Sequence, residues 1–201
     1  MISVLLAEDQ ALLRQALAEI LGREEDVQVV AQVGRGDEVL AAALDTHPDV
    51  ALIDIEMPGQ DGILSIADLL RHLPSCRVLV LTVYNRPGYL KRALENGAHG
   101  YVLKDSSPPD LVRAIRAVAA GARVIDPQLA TAALYEGASP LSPREREVLA
   151  LSHRDATVGE IAHALSLSRG TVRNHLSIAI QKLGARTRFE AARIAEGKGW
   201  L

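Results

Sequence analysis

Five short runs rich in Val, Ile and Leu punctuate the first 125 residues: Ile2–Ala7, Val27–Val33, Val50–Ile53, Val78–Leu81 and Tyr101–Leu103. Each is close to continuously apolar, the pattern of a parallel strand covered on both faces. Between the runs lie stretches with apolar residues every three or four positions, such as Leu12, Leu13, Ala16, Leu17, Ile20 and Leu21, or Leu111, Ile115 and Val118. That periodicity predicts amphipathic helices. Strand and helix in alternation predict an α/β domain over residues 1–120: a doubly wound, five-stranded parallel sheet of flavodoxin-like type. Such sheets bind ligands beyond the carboxyl ends of their strands, where the strand order reverses.

The rhythm stops after residue 120. Gly121, Pro127, Gly137 and Pro140 mark residues 121–139 as a linker, with a short helix expected over 128–135. Residues 140–201 contain no strand-like run and are expected to form an all-α, four-helix domain. Its helix starts are written in capping chemistry. Ser142-Pro143-Arg144-Glu145 offers a cap, a proline at the first helical position and a capping-box carboxylate. Thr157 with Glu160 repeats the box, Ser168 can cap a third helix running to about Leu183, and residues 187–196 suit a fourth.

Charge divides the same way. Residues 1–139 carry 12 Lys/Arg against 19 Asp/Glu, whereas residues 140–201 carry 10 against 6. An acidic first part and a basic second part suit different partners, the basic one nucleic acid. No apolar run approaches the roughly 18–20 residues that span a bilayer, and the amino terminus reads as a first strand rather than a signal peptide. With Cys76 as the single cysteine, an intrachain disulfide or a cysteine-based zinc site is excluded. The chain is therefore expected to be cytoplasmic and not itself membrane-bound.

Polar residues cluster at the strand ends. Glu8 and Asp9 follow the first run, Asp54 ends the third, Thr82 ends the fourth and Lys104 follows the fifth. All are expected on one rim of the sheet. Carboxylates crowded together repel unless a cation sits among them, and Mg²⁺, a hard ion preferring oxygen ligands, fits. Asp9 and Asp54 would be direct ligands, Glu8 a ligand through water, and the Glu56 backbone carbonyl a further oxygen. An aspartate so placed can attack phosphorus and form an acyl phosphate, with Lys104 and the metal neutralising the transferring oxygens. The Thr82 hydroxyl could then turn to the phosphoryl group and let Tyr101 rotate inward, a two-state switch. Each of these residues alone would more often be a turn former, a surface lysine or core packing; their joint placement carries the reading. Asp61-Gly62 and Met57-Pro58-Gly59 are read as loop-shaping, and His47, His72 and His99 as structural.

Glu8-Asp9, Asp54-Ile55-Glu56-Met57-Pro58-Gly59 with Asp61-Gly62, Thr82, Tyr101 and Lys104 resemble a response-regulator receiver domain over residues 1–120. Two departures are Glu8, where many receivers have Asp, and Asp105, where many have Pro. Both could alter the lifetime of the phosphoryl group.

In the second domain, Glu160-Ile161-Ala162-His163-Ala164-Leu165, then Ser166-Leu167-Ser168, then Gly170-Thr171-Val172-Arg173-Asn174-His175-Leu176 read as helix, tight turn, helix. Arg173, Asn174 and Ser177 fall on the face opposite the apolar positions, where a recognition helix meets base edges. Arg suits guanine and Asn adenine. Arg169, Thr171, Lys182, Arg186 and Arg188 are placed for phosphates. These motifs, with Leu141–Leu149 and Lys182-Leu183-Gly184, are similar to the LuxR-type helix-turn-helix, and the whole chain resembles the NarL/FixJ response regulators. The resemblance implies phosphoryl transfer from a cognate sensor histidine kinase, a homodimer on a double-stranded promoter, contact with RNA polymerase and regulated transcription rather than enzymatic turnover. In that family the last helix often pairs two domains; Ala191, Ala192, Ile194 and Ala195 could serve there, or pack in the core. A narrower likeness joins Ala7-Glu8-Asp9-Gln10, Asp54-Ile55-Glu56-Met57-Pro58-Gly59, Arg86-Pro87-Gly88-Tyr89, Leu103-Lys104-Asp105-Ser106 and Gly197-Lys198-Gly199-Trp200 to the DesR-type regulators, implying a membrane-bound kinase and lipid-desaturation genes.

Two other readings compete at this level. One is a DNA binder indifferent to phosphorylation, with the first domain only a dimerisation module. The other is a phosphohydrolase turning over on Asp54. Such enzymes commonly need a second acid two residues on, a position held here by Glu56 with Pro58 close behind.

Overall fold

The structure, a computed structural model, describes residues 1–83, 87–125, 130–131, 139–153 and 156–201. The chain divides into two compact units, each taken by itself.

The first unit is built on β1 (Ile2–Ala7), α1 (Ala11–Leu21), β2 (Val27–Val33), α2 (Val39–Thr46), β3 (Val50–Ile53), α3 (Gly62–His72), β4 (Arg77–Thr82), α4 (Pro87–Glu95), β5 (Gly100–Leu103), α5 (Pro108–Ala119) and β6 (Val124–Ile125). The strands are all parallel and ordered β2-β1-β3-β4-β5-β6. The five apolar runs thus form the five expected strands. The sheet differs from expectation in having a sixth: Val124 and Ile125, within the segment read as linker, pair with Gly100 and Tyr101. Two residues are too few to show a period, and the glycine at 121 masked them.

Both faces of the sheet are covered. On one, Val4, Leu6, Leu52, Leu79, Leu81 and Val102 pack against Leu17 and Leu21 of α1 and Leu111, Ile115 and Val118 of α5. Burying a Leu or Ile side chain of this kind stabilises the fold by roughly 1.5–3 kcal/mol each. The opposite helices bury Val39, Ala43, Ile63, Ile66, Leu69, Leu90 and Ala93. Helix α5 starts where its sequence dictates: Ser107 accepts from the Asp110 N–H, and Pro108 and Pro109 occupy positions whose N–H groups have no helical partner. His47, in the left-handed conformation at φ 46°, ends α2, and His72 Nδ1 lies 2.9 Å from the Asp68 carbonyl. His99 Nδ1 accepts from the Val78 N–H. All three have structural surroundings.

The second unit holds α6 (Pro143–His153), α7 (Val158–Ala164), α8 (Arg169–Lys182) and α9 (Arg188–Gly197). The capping chemistry read from the sequence is in place. Ser142 and Glu145 exchange hydrogen bonds at 2.8 and 3.3 Å, Thr157 and Glu160 form a capping box, and Ser168 and Thr187 cap α8 and α9. The core joins Leu141, Val148, Leu149, Ile161, Ala162, Val172, Leu176 and Ala179 to Ala191, Ala192 and Ala195. Those three alanines are fully buried, so of their two readings the structure takes core packing; small side chains let α9 lie close on its neighbours. The helix expected over 128–135 falls almost entirely outside the described residues. None of the described helices is long and apolar enough to cross a membrane.

Candidate functional site

Backbone hydrogen bonds carry the sheet one residue past its strands and so gather the polar residues on one rim. The Glu8 N–H donates to Val33 O at 3.1 Å, the Asp54 N–H to Ala7 O at 2.9 Å and the Lys104 N–H to Thr82 O at 2.8 Å. Glu8 and Asp9 on one side and Asp54 on the other flank the β1–β3 boundary, where the strand order reverses. That is the crevice in which such sheets bind ligands.

Glu8 is fully buried, and Asp54 is 4% exposed, while Asp9 faces solvent. Lys104 Nζ donates to Asp54 Oδ2 at 2.8 Å and forms an ion pair with Glu8 Oε2 at 2.7 Å. Glu8 Oε1 accepts from the Gln10 N–H at 3.2 Å. Burial pushes the Asp54 carboxyl up to about 6; Lys104 opposes the rise and Glu8 adds to it. Burial alone would lower the Lys104 pKa, but its carboxylate partners outweigh that and raise it.

One ammonium thus pairs with Glu8 and Asp54, and Glu8, Asp9 and Asp54 can each offer one oxygen within 4.8 Å of the others. Glu8 Oε2 is buried, with the Lys104 ammonium 2.7 Å away as its charge partner. Three carboxylates sharing one ammonium keep excess negative charge, which suits a hard cation with oxygen ligands. The cluster can therefore hold a metal ion.

The loop after Asp54 is held by a glycine. A Cβ at Gly62 would come within 2.0 Å of the Asp54 carbonyl oxygen, and the Gly62 N–H donates to Ile55 O at 2.9 Å. Asp61 caps α3 by accepting from the Ile63 N–H, so it shapes the loop, as its sequence context suggested. The Glu56 side chain is exposed. Thr82 is fully buried and Tyr101 is 2% exposed, so the tyrosine occupies an inward position. The residue lines a cleft of about 380 Å³ with Leu103, Asp110, Arg113, Ala114, Val124 and Ile125.

In the second unit the turn between α7 and α8 is tight. Ser166 is left-handed at φ 55°, and the Leu167 N–H reaches back to Ala162 O at 2.8 Å. Helix α8 buries Val172, Leu176 and Ala179 and exposes Arg173, Asn174 and Ser177 on the far side. The three residues read as base-facing therefore share one solvent face near the start of the helix. Arg169 is also exposed, with its guanidinium over Gly159. The Thr171 hydroxyl lies 2.8 Å from that of Ser168, within the cap. Arg186 is exposed, whereas Arg188 donates to Ala156 O at 3.0 Å and stacks on Phe189. His175 is half-buried with Nδ1 enclosed and unpaired.

Lys182, read as a phosphate contact, also has a partner within the domain. Its ammonium is taken by both oxygens of Glu145, a nearly buried carboxylate 37 residues away. No local pattern announces such a pair. Arg14 likewise escaped sequence reasoning: it reads as an ordinary helical arginine, yet it reaches the backbone of the acidic loop.

Residues 4–116 match the response regulator receiver domain, and residues 139–195 match the bacterial regulatory proteins of the luxR family. The uncharacterized transcriptional regulatory protein YvfU of Bacillus subtilis (strain 168) is 45% identical over 201 residues, covering all of both chains. The transcriptional regulatory protein DesR of the same strain is 42% identical over 201 residues, again covering both completely. Among solved structures, RcsB from Salmonella enterica serovar Typhimurium, bound to promoter rprA in the presence of the phosphomimetic BeF₃⁻, is similar with a TM-score of 0.73. It is 29% identical, over 97% of this chain and 98% of that one.

Proposed function

The chain belongs to the bacterial two-component response regulators with a LuxR-type DNA-binding domain, and from that premise we propose that Asp54 is its phosphoacceptor, serving a cognate sensor histidine kinase. The observation that carries the proposal is the joint position of Asp54 beside Lys104, Glu8 and Asp9 on the rim of the sheet. A carboxylate oxygen of Asp54 attacks the phosphorus of the kinase phosphohistidine, an acyl phosphate forms, and the P–N bond breaks to release the imidazole. Lys104 stays beside the new group and neutralises its oxygens. The cation that suits the cluster is Mg²⁺, which Asp9 and Asp54 would hold directly, Glu8 through water, with the Glu56 backbone carbonyl as a further oxygen. When bound, it supplies positive charge to the phosphoryl oxygens. The receiver catalyses only its own phosphorylation and dephosphorylation.

Thr82 and Tyr101 are the switch. The hydroxyl of Thr82 bonds the phosphoryl group, and the inward position of Tyr101 belongs to the activated arrangement. The phosphorylated chain pairs as a homodimer and binds two promoter half-sites in the cytoplasm, where it meets RNA polymerase. Arg173, Asn174 and Ser177 read base edges, while Arg169, Thr171 and Arg186 hold phosphates. The working division is a receiver over 1–120, a linker over 121–139 and the DNA-binding domain over 140–201.

The direct test uses radiolabelled acetyl phosphate with Mg²⁺. Wild type takes up one phosphoryl group per chain and Asp54→Ala takes up none. Equal labelling of the variant would dismiss Asp54 as the acceptor. Absence of multiple turnover on other phosphoesters separates this reading from a phosphohydrolase, and DNA affinity that rises on phosphorylation separates it from a phosphorylation-independent binder.

A further inference from the structure

Arg14 lies outside the machinery described so far, yet its guanidinium touches the acidic loop directly. From α1, Nη1 donates to the Glu8 carbonyl at 2.5 Å and, at the longer distance of 3.4 Å, to the Asp9 carbonyl. Those carbonyls belong to the stretch where the chain leaves β1, and the side chains of the same two residues face Asp54. Beneath the guanidinium is Gly34, the residue that follows β2. A Cβ there would stand 3.1 Å from Nη1 and 3.6 Å from Cζ, closer than the neighbouring group tolerates without moving. Gly34 therefore provides the seat, and Arg14 fills it.

We propose that Arg14 is a positioning residue for the cation site: by clamping the Glu8 and Asp9 carbonyls against the Gly34 seat, it fixes the turn that aims both carboxylates at Asp54. This rests on the assignment of the acidic cluster as the Mg²⁺ site. Groups that orient metal ligands from behind typically contribute 10- to 100-fold in affinity. The alternative role for an arginine here is electrostatic, and it has the opposite sign. A fixed positive charge beside a cation site repels the cation, so removing it would tighten binding. Geometry and charge thus predict different directions for one substitution.

The experiment titrates the full-length chain with Mn²⁺, standing in for Mg²⁺, and reads free Mn²⁺ by electron paramagnetic resonance with no phosphoryl donor present. Arg14→Ala is expected to raise the Mn²⁺ dissociation constant about tenfold. Arg14→Lys, which keeps the charge and loses the planar fork, is expected to weaken binding as well, though less. Gly34→Ala, which leaves Arg14 in the chain and crowds its seat, is expected to weaken binding severalfold. If Arg14→Ala does not fold, as judged by circular dichroism, the lysine and Gly34 variants carry the comparison. Unchanged or tighter Mn²⁺ binding in the folded variants would overturn the positioning role while leaving the cation site intact. A wild-type chain that bound no Mn²⁺, or bound it equally well as Asp54→Asn, would overturn the cation site and the role of Arg14 with it.

Discussion

Lys182 donates to both carboxylate oxygens of Glu145, at 3.0 and 2.8 Å, and so ties the end of the recognition helix to the start of the helix that opens the DNA-binding domain. Burial acts to raise the Glu145 pKa, but Lys182 and the Ser142 N–H outweigh it and hold the carboxyl below its ordinary value.

Replacing Lys182 by Met is expected to lower the stability of the DNA-binding domain by about 1–2 kcal/mol, the lysine being partly open to solvent. A double-mutant cycle with Glu145→Gln, followed by urea unfolding, measures the coupling. Because the Glu145 pKa is depressed by folding, this contribution is present above its unfolded value and fades as the pH falls through the folded one. Additive single and double mutants would remove the pair from the account.

Phosphate and base contacts separate by their response to salt and to sequence. Arg186→Ala is expected to weaken binding similarly at all promoter sequences and to reduce the slope of log K against log salt by about 1. Lys182→Met leaves that slope unchanged. Arg173→Ala and Asn174→Ala each are expected to cost about 1–3 kcal/mol at the specific site and to relax the preference at one base pair. Fluorescence anisotropy with specific and scrambled duplexes at several salt concentrations reads all four variants.

Asp54 runs the opposite way to Glu145 in its pH dependence. Its folded pKa of about 6 lies above the ordinary carboxyl value, so its contribution to stability is fully present below the unfolded pKa and is lost as the pH rises through about 6. Asp54→Asn is therefore expected to raise the metal-free melting temperature at pH 7.5, with a free-energy gain of up to about 3 kcal/mol, and to give no gain near pH 3.5. Calorimetry across that range in the presence of a chelator checks the sign. A gain that did not change with pH would contradict it.

Thr82→Ala separates chemistry from signalling. The variant keeps Asp54, Lys104 and the acids, so acetyl phosphate still labels it. Its DNA affinity is expected to stay near the unphosphorylated level even when labelled, because no hydroxyl couples the phosphoryl group to Tyr101. Quantified labelling and anisotropy on the same sample test this; a wild-type affinity gain would exclude Thr82 from the relay.

The parts of this molecule that could be read from its sequence are those encoded locally or by repetition. The strands show because each is apolar along nearly its whole length, and the helix starts at Ser142, Thr157 and Ser168 show because capping is a three-residue pattern. Asp54 and its neighbours on the rim show because parallel strands place their carboxyl ends together. What escaped is what distant segments decide between them. Arg14 and Gly34 have no common motif, Glu145 and Lys182 are 37 residues apart, and the burial of Ala191, Ala192 and Ala195 depends on which side of α9 meets the core. An amphipathic pattern shows that a face exists, but not whether its own domain or another chain covers it.

Strand β6 bears on how this protein can be handled. Without it, β5 would end the sheet with a row of unsatisfied amide and carbonyl groups, a template on which a second chain could add. Val124 and Ile125 cover that row at Gly100 and Tyr101, the first half of β5. A receiver cut after residue 120, where the α/β rhythm ends in the sequence, would discard this cover and bare both the β5 border and the side of the cleft that Val124 and Ile125 line. Self-association of such a fragment would then report a raw sheet edge, and only a fragment reaching past Ile125 would speak for how the receiver itself pairs.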